Sequence, residues 1–272
     1  MSNFIELLKY VFLGIVQGIT EILPISSSGH LVLFQHILGL KLPGLGFEMF
    51  TNMASLIAMV IYFRKDLWTL FTDNLQFIFK KDRTKKPAFD YALKLLIAVI
   101  PIGITGLLFK DYMDEFKSLL AVGIALMVTG MFLLYIYKNR NVSDAKSDIT
   151  FVDAITIGLF QAIAILPGVS RSGSTIIGGL FRRVSLKALL RFSFLCYIIV
   201  SIPTSILAII DVTQTSVEID LVGYILAFIA TLFTTYITAN LVMKKLKTNH
   251  LLYFGIYVLT VGLIALVSSF IF

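Results

Sequence analysis

The amino-acid sequence predicts an all-α polytopic membrane protein, with six transmembrane helices and two re-entrant helical hairpins arranged as an inverted-topology repeat. Three observations lead there. First, 58% of the 272 residues are hydrophobic and only 14% are charged, against roughly a quarter charged in soluble chains, so lipid must solvate much of the surface. Second, seventeen of the 23 lysines and arginines crowd into four short stretches between apolar ones. Third, two apolar regions broken by proline, serine and glycine share landmarks at a spacing of 144 residues.

Crossing the hydrocarbon core takes about 20 apolar residues in a helix. The region 4–40 is apolar but punctured by polar and helix-breaking residues. Glu6 and Lys9 interrupt its start and no small-residue cleavage site follows, so it does not read as a signal peptide. Spans are predicted at 47–63, 91–109 and 119–137, then at 192–210, 221–243 and 251–272, with a second punctured region, 150–181, between the triplets. The basic stretches are 64–90, 138–149, 182–191 and 244–250, which the positive-inside rule places in the cytoplasm. Segments 110–118 and 211–220 then lie outside, and the second holds no basic residue. With cytoplasmic stretches on both sides of it, 150–181 must enter and return from the cytoplasm. By the same logic 4–40 enters and returns from the outside. Each half is a hairpin followed by three spans. Repeat one covers about 1–137 and repeat two about 150–272 of a single integral membrane domain, 1–272, with opposed halves and both termini extracytoplasmic.

The net charge of +7 is accounted for by these loops and does not call for nucleic acid. The single cysteine, Cys196, rules out an internal disulfide and a Cys-based zinc site, and reads as lipid-facing or core packing. Trp68 and the tyrosines near span ends fit an aromatic belt. His36 and His250 read as interfacial or loop residues.

The chemistry-bearing residues sit in the two punctured regions. Gly14, Gln17, Ile19, Ser26, Ser28 and Gly29 recur as Gly158, Gln161, Ile163, Ser170, Ser172 and Gly173, and Pro24 has its counterpart one residue early in Pro167. Duplicated halves in opposite orientation place substrate sites near the midplane, where broken helices meet. In the first region Gln17 and Glu21 share a helix face, and Pro24 ends or kinks that helix. Ser26, Ser27, Ser28 and Gly29 then lead into a helix starting near His30. Hydroxyls and a glycine ahead of a helix form an anion cradle, because the first N–H groups lack internal partners and the dipole favours negative charge. The second region has the same layout in Ser170, Arg171, Ser172, Gly173, Ser174 and Thr175, with Arg171 in the place of Ser27. Arginine grips phosphate oxygens through two parallel hydrogen bonds. Two facing cradles with an arginine between them suit a pyrophosphate. Serines in membrane helices often bond back to the preceding turn without chemical consequence. Ionisable groups in an apolar span, Glu21 and Arg171, are costly enough to imply function, and His30 beside Glu21 and the serines points to catalysis.

The run from Gly14 to Leu31 (GIVQGITEILPISSSGHL) resembles the first motif of the bacitracin-resistance family, the undecaprenyl-diphosphate phosphatases, which pairs Glu or Gln with a Glu four residues later. The run from Leu166 to Ile176 (LPGVSRSGSTI) resembles the family's second motif. The segments Tyr62–Asp66 and Phe254–Tyr257 extend the resemblance over nearly the whole chain. After the acidic residue, here Glu48, the family has His or Gln followed by Leu-Gly and Thr or Ser, where this chain has Asn52, Met53, Ala54 and Ser55.

The resemblance implies hydrolysis of undecaprenyl diphosphate to the monophosphate and inorganic phosphate, which recycles the lipid carrier for peptidoglycan synthesis and gives bacitracin resistance. It implies a multi-pass protein of the bacterial cell (plasma or inner) membrane whose polyprenyl lipid substrate lies in the bilayer between helices; a homodimer is left open. In this frame Arg171, with donors from Ser170, Ser172, Gly173 and Thr175, holds the phosphates opposite Ser26, Ser28 and Gly29. Glu21, helped by Gln17, binds a divalent metal, Mg2+ or Ca2+. Ser27 is the candidate nucleophile, with His30 as its general base. Two variants of the scheme stay open, in which His30 activates water directly or attacks phosphorus itself. A carrier that moves the lipid monophosphate across the membrane also fits an inverted repeat with broken helices.

Overall fold

The computed structural model describes residues 4–40, 42, 46–139, 145–214 and 220–271. Among them it is all-helical, with α1 Phe4–Thr20, α2 Ser27–Ile37, α3 Gly46–Tyr62, α4 Arg64–Lys80, α5 Lys86–Phe109, α6 Leu119–Asn139, α7 Phe151–Ile163, α8 Arg171–Phe181, α9 Leu186–Gln214, α10 Leu221–Lys245 and α11 His250–Ile271. Helices α5, α6, α9, α10 and α11 are each long and apolar enough to cross a membrane, and α3 with α4 makes a sixth candidate if that pair, bent by 71°, counts as one. Outward-facing side chains such as Phe233, Ile264 and Phe270 are exposed and apolar, as a lipid solvent requires. The chain is a multi-pass membrane protein.

The stretch 64–90, expected as a basic loop, is corrected: it holds α4 and the first turn of α5. Charged residues lower its hydropathy without weakening helix formation. Trp68, Phe71, Leu75 and Ile78, at three- and four-residue spacings, give the helix an exposed apolar stripe. A 3-10 helix, Lys110–Lys117, occupies most of 110–118, and α9 begins six residues before the predicted 192 because Lys187 and Arg191 ride on its first turns. Arg191 there pairs with Asp66 of α4 at 2.5 Å. Cys196 is buried in the core. Arg140, residues 215–219 of the predicted outer segment and the terminal residues 1–3 and 272 lie outside the described residues.

Helices α1 and α2 pack together as a hairpin, and so do α7 and α8. The first helix of each hairpin also packs along a helix from the other half, α1 on α10 and α7 on α5. The repeated glycines explain how. A Cβ on Gly14 would lie 2.3 Å from the Ala227 carbonyl oxygen, and one on Gly158 would lie 2.8 Å from that of Ala98. Helices α2 and α8 start and stop at the same 144-residue offset. Their far ends are tied down at matched positions. Lys9 Nζ donates to the Leu38 carbonyl at 2.6 Å, while Asp153 receives Arg182 Nε at 3.0 Å and Lys146 Nζ at 2.6 Å. Asp153 lies in the first turn of α7, outside the spans. Burial pushes its carboxyl up, but hydrogen bonds from Lys146, Thr150 and Arg182 outweigh that and hold it at about 2.

Candidate active site

Pro24 cannot donate to a helical ladder, so α1 stops at Thr20, the chain turns, and a new helix starts at Ser27. Ser26 caps that helix, its Oγ accepting from Gly29 N at 3.3 Å. Ser170 does the same for α8, accepting from Gly173 N at 3.0 Å. In both bends the cap oxygen also lies 3.3 Å from the hydroxyl two residues on, Ser28 or Ser172. The bends interlock. Gly168 N donates to Ser28 Oγ at 3.2 Å, and Ser172 Oγ donates to the Leu23 carbonyl at 2.9 Å. The backbone differs sharply at one residue: Ser26 has φ 69° and ψ 101°, whereas Ser170 has φ −75°. Such a conformation costs a side-chain-bearing residue about 1–3 kcal/mol and persists only when its surroundings enforce it.

Glu21 is the hub. Its Oε2 accepts from Ser27 Oγ at 2.5 Å and from Gln17 Nε2 at 2.9 Å, and its Oε1 accepts from Arg171 Nη2 at 3.1 Å. The carboxylate, the serine and the arginine that the sequence singled out therefore meet at one point, drawn from two different hairpins. Arg171 is supported from behind. Its guanidinium lies over the Tyr197 ring, 5.0 Å from the centroid, and Nη1 reaches Ser201 Oγ at 3.5 Å. The Tyr197 hydroxyl donates in turn to Asn52 Oδ1 at 2.9 Å.

These groups border a cavity of about 550 Å3. Its polar part is lined by Thr20, Glu21, Ser26, Ser27, Ser28, Glu48, Ser170, Arg171 and Ser172. Its apolar part runs between α5 and α9, along Val99, Ile102, Leu107, Ile199, Val200, Pro203 and Leu207. Leu107 is 81% exposed, so the apolar part reaches the lipid-facing surface.

Other expected residues are placed elsewhere. Gln17 turns its amide nitrogen, not its oxygen, to Glu21, and so does not offer a second ligand oxygen beside the carboxylate. The N–H groups of Gly29 and Gly173 are taken up by the caps. Thr175 Oγ1 faces α9, 2.5 Å from Ser193 Oγ, and bonds back to the Ser172 carbonyl. No hydrogen bond joins His30 to Ser27: Nδ1 lies 2.7 Å from the Ser26 carbonyl oxygen and Nε2 lies 2.9 Å from the Tyr257 hydroxyl. The group on the Ser27 hydroxyl is Glu21. Sequence reasoning gave no role to Glu48, Tyr197, Ser201 or Tyr257. Glu48 and Tyr257 lay in segments that carry the family resemblance, and the only signal of Tyr197 and Ser201 was a polar group inside an apolar helix.

For a metal, the cavity offers two carboxylates, Glu21 and Glu48, and a set of hydroxyls. Among the described residues no three His, Cys, Asp or Glu side chains converge. All-oxygen donors suit a hard cation whose shell is completed by phosphate oxygens, not zinc.

Known proteins resemble this chain over nearly its whole length. The family described as "Bacitracin resistance protein BacA" matches residues 10–264. The chain is similar to an "Undecaprenyl-diphosphatase" of Acholeplasma laidlawii (strain PG-8A), 43% identical over 275 residues and covering 98% of each chain. It is also similar to "Undecaprenyl-diphosphatase 2" of Bacillus thuringiensis (strain Al Hakam), 43% identical over 269 residues and covering 98% of this chain and 99% of the relative. An "Undecaprenyl-diphosphatase" of Oceanobacillus iheyensis is 38% identical over 270 residues, again with 98% of each chain covered.

Proposed function

The chain belongs to the bacitracin resistance protein BacA family and is an undecaprenyl-diphosphatase, and we propose that it cleaves its lipid diphosphate between the two interlocked bends. The polyprenyl tail lies along the apolar wall between α5 and α9, and the head group reaches the polar end of the cavity. Arg171 rests on Glu21, Ser170 on Ser172 and Ser172 on the Leu23 carbonyl until the pyrophosphate offers them stronger partners; all three side chains then clamp phosphate oxygens. Ser27 Oγ attacks the terminal phosphorus while Glu21 Oε2 takes its proton. The bond from that phosphorus to the bridging oxygen breaks and undecaprenyl phosphate leaves. Water then cleaves the phosphoserine, releasing inorganic phosphate and restoring Ser27. Phosphoryl transfer asks mainly for in-line positioning and charge stabilisation, which the arginine and the facing cradles provide. Mg2+ or Ca2+ fits the donor set. Glu21 and Glu48 would hold it, and when bound it neutralises charge on the pyrophosphate oxygens.

The finer architecture belongs to the same proposal. The chain is one integral membrane domain, in which α1–α2 and α7–α8 are re-entrant hairpins of two inverted repeats, about 1–137 and 150–272. The matched helix bounds, caps and glycine contacts support it. The protein sits in the bacterial cell membrane with both termini extracytoplasmic, as the loop charges indicate.

One observation carries the function: a single carboxylate, Glu21, is bonded at once to the Ser27 hydroxyl of one bend and the Arg171 guanidinium of the other. Phosphate release from undecaprenyl diphosphate by detergent-purified protein, with and without chelator, tests it. Wild type releases phosphate and Glu21→Gln loses at least about a hundredfold in rate. Transport of labelled lipid phosphate without phosphate release would instead mark a carrier.

A further inference from the structure

We propose that Tyr257 is a positioning residue for this reaction: acting through His30, it clamps the Ser26 carbonyl and so holds Ser27 against Glu21. The inference rests on Ser27 as the nucleophile. It starts from the backbone of Ser26, which at φ 69° occupies a region that residues with side chains rarely adopt. The residue that follows is Ser27, so whatever fixes Ser26 fixes the direction of the attacking hydroxyl.

What fixes Ser26 is His30, which is 1% exposed. The Ser26 carbonyl accepts twice from it, from the backbone N at 3.3 Å and from ring Nδ1 at 2.7 Å. A carbonyl oxygen only accepts, so Nδ1 carries the ring proton and Nε2 of the neutral imidazole is the acceptor. Tyr257 supplies the donor, its hydroxyl lying 2.9 Å from Nε2. The two rings also stack, 5.5 Å between centroids at an interplanar angle of 16°. The Ser26 carbonyl sets the tautomer, and Tyr257 satisfies the remaining nitrogen and fixes the plane of the ring. Both ring nitrogens are committed, which leaves the removal of the Ser27 proton to Glu21.

The second bend is an internal control. Ser174 stands where His30 stands, and Ser170 keeps an ordinary φ of −75°. The positive φ of that bend, 94°, falls on Gly168, which tolerates it without help. The histidine clamp is present only where the backbone needs holding, one residue before the nucleophile.

Three variants and one spectrum test the proposal. Tyr257→Phe keeps the ring and loses only the donor, so kcat falls about tenfold with KM within twofold, since small misplacements of a reacting group are costly while the phosphate clamp is untouched. His30→Asn places an amide N–H near the position of Nδ1 and retains at least about a tenth of wild-type kcat, whereas His30→Ala loses about a hundredfold. In 15N spectra of histidine-labelled protein, the His30 signals, assigned by their loss in His30→Asn, report the Nδ1–H tautomer. Tyr257→Phe moves the Nε2 signal downfield, because that nitrogen no longer accepts a hydrogen bond. The proposal is overturned if Tyr257→Phe keeps wild-type kcat and ring shifts, or if His30→Asn is as inactive as His30→Ala, which would make the ring itself the base. The spectrum is read without turnover. A Ser27→Ala variant that still works would therefore remove the serine scheme while the tautomer result stands apart from it.

Discussion

Between Gln17 and His30 the chain follows the same order of events as between Gln161 and Ser174: a helix ends, a proline passes, a serine caps, and a second helix begins at the same 144-residue offset. The caps and the serine pairs match to within a few tenths of an ångström. The side chains at the reacting point do not match. Glu21 faces Ile165 in the register, Ser27 faces Arg171, and His30 faces Ser174. Gln17 is bonded to Glu21, whereas neither end of the Gln161 amide has a partner among the described residues. The two bends share a frame and differ in chemistry. One bend holds the carboxylate and the hydroxyl, the other holds the cation, and the ion pair between them keeps both charges tolerable in lipid.

The division of labour can be broken residue by residue. The largest effect falls on the first bend: Ser27→Ala loses at least about a thousandfold in kcat, as removal of a nucleophile does in other hydrolases. A phosphate-release assay that finds less than a tenfold loss contradicts the serine role. On the second bend, Arg171→Ala loses at least about a hundredfold, the usual worth of a transition-state charge donor. Arg171→Lys recovers only part of that, because lysine has neither the two-pronged grip nor the stacking on Tyr197. A loss under fivefold for Arg171→Ala rejects the clamp.

Smaller effects sharpen the contrast. Asn52→Ala takes away the shorter, side-chain acceptor of the Tyr197 hydroxyl behind Arg171 and leaves it only the residue 52 carbonyl at 3.2 Å, which lowers kcat/KM about fivefold; an unchanged value would show that Arg171 does not depend on the side-chain support. The two glutamines respond oppositely. Gln17→Leu lowers kcat about tenfold by removing a donor from Glu21. Gln161→Leu leaves kcat within twofold and raises the thermal midpoint by a few degrees, since an unpaired buried amide costs about 1–3 kcal/mol. Equal losses of activity at both positions would mean that the second bend carries chemistry of its own.

Much of this was legible in the residues. Prolines, glycines and capping serines act locally, so the two bends and their spacing could be read from Pro24, Pro167, Ser26 and Ser170 alone. The meeting of Glu21, Ser27 and Arg171 was expected from the landmarks that the two punctured regions share at a spacing of 144 residues. What stayed hidden depended on packing between distant segments. Tyr257 lies 227 positions from the histidine it bonds, and nothing in an apolar helix shows which polar side chain it will reach. The same holds for Thr175, which turned to Ser193 of α9, and for the amide orientation of Gln17. Helix α4 escaped notice because a hydropathy window registers its lysines and aspartates but not its apolar stripe.

The most direct measurement is to trap the covalent step. Wild type and Glu21→Gln are mixed with undecaprenyl diphosphate labelled in its terminal phosphate, quenched within the first turnover, and digested for mass spectrometry. Attack by Ser27 places the label on the peptide containing Ser27 as an acid-stable phosphoserine in wild type, with far less formed in Glu21→Gln. Full first-turnover phosphate release with no labelled peptide, or an acid-labile label on His30, would contradict it.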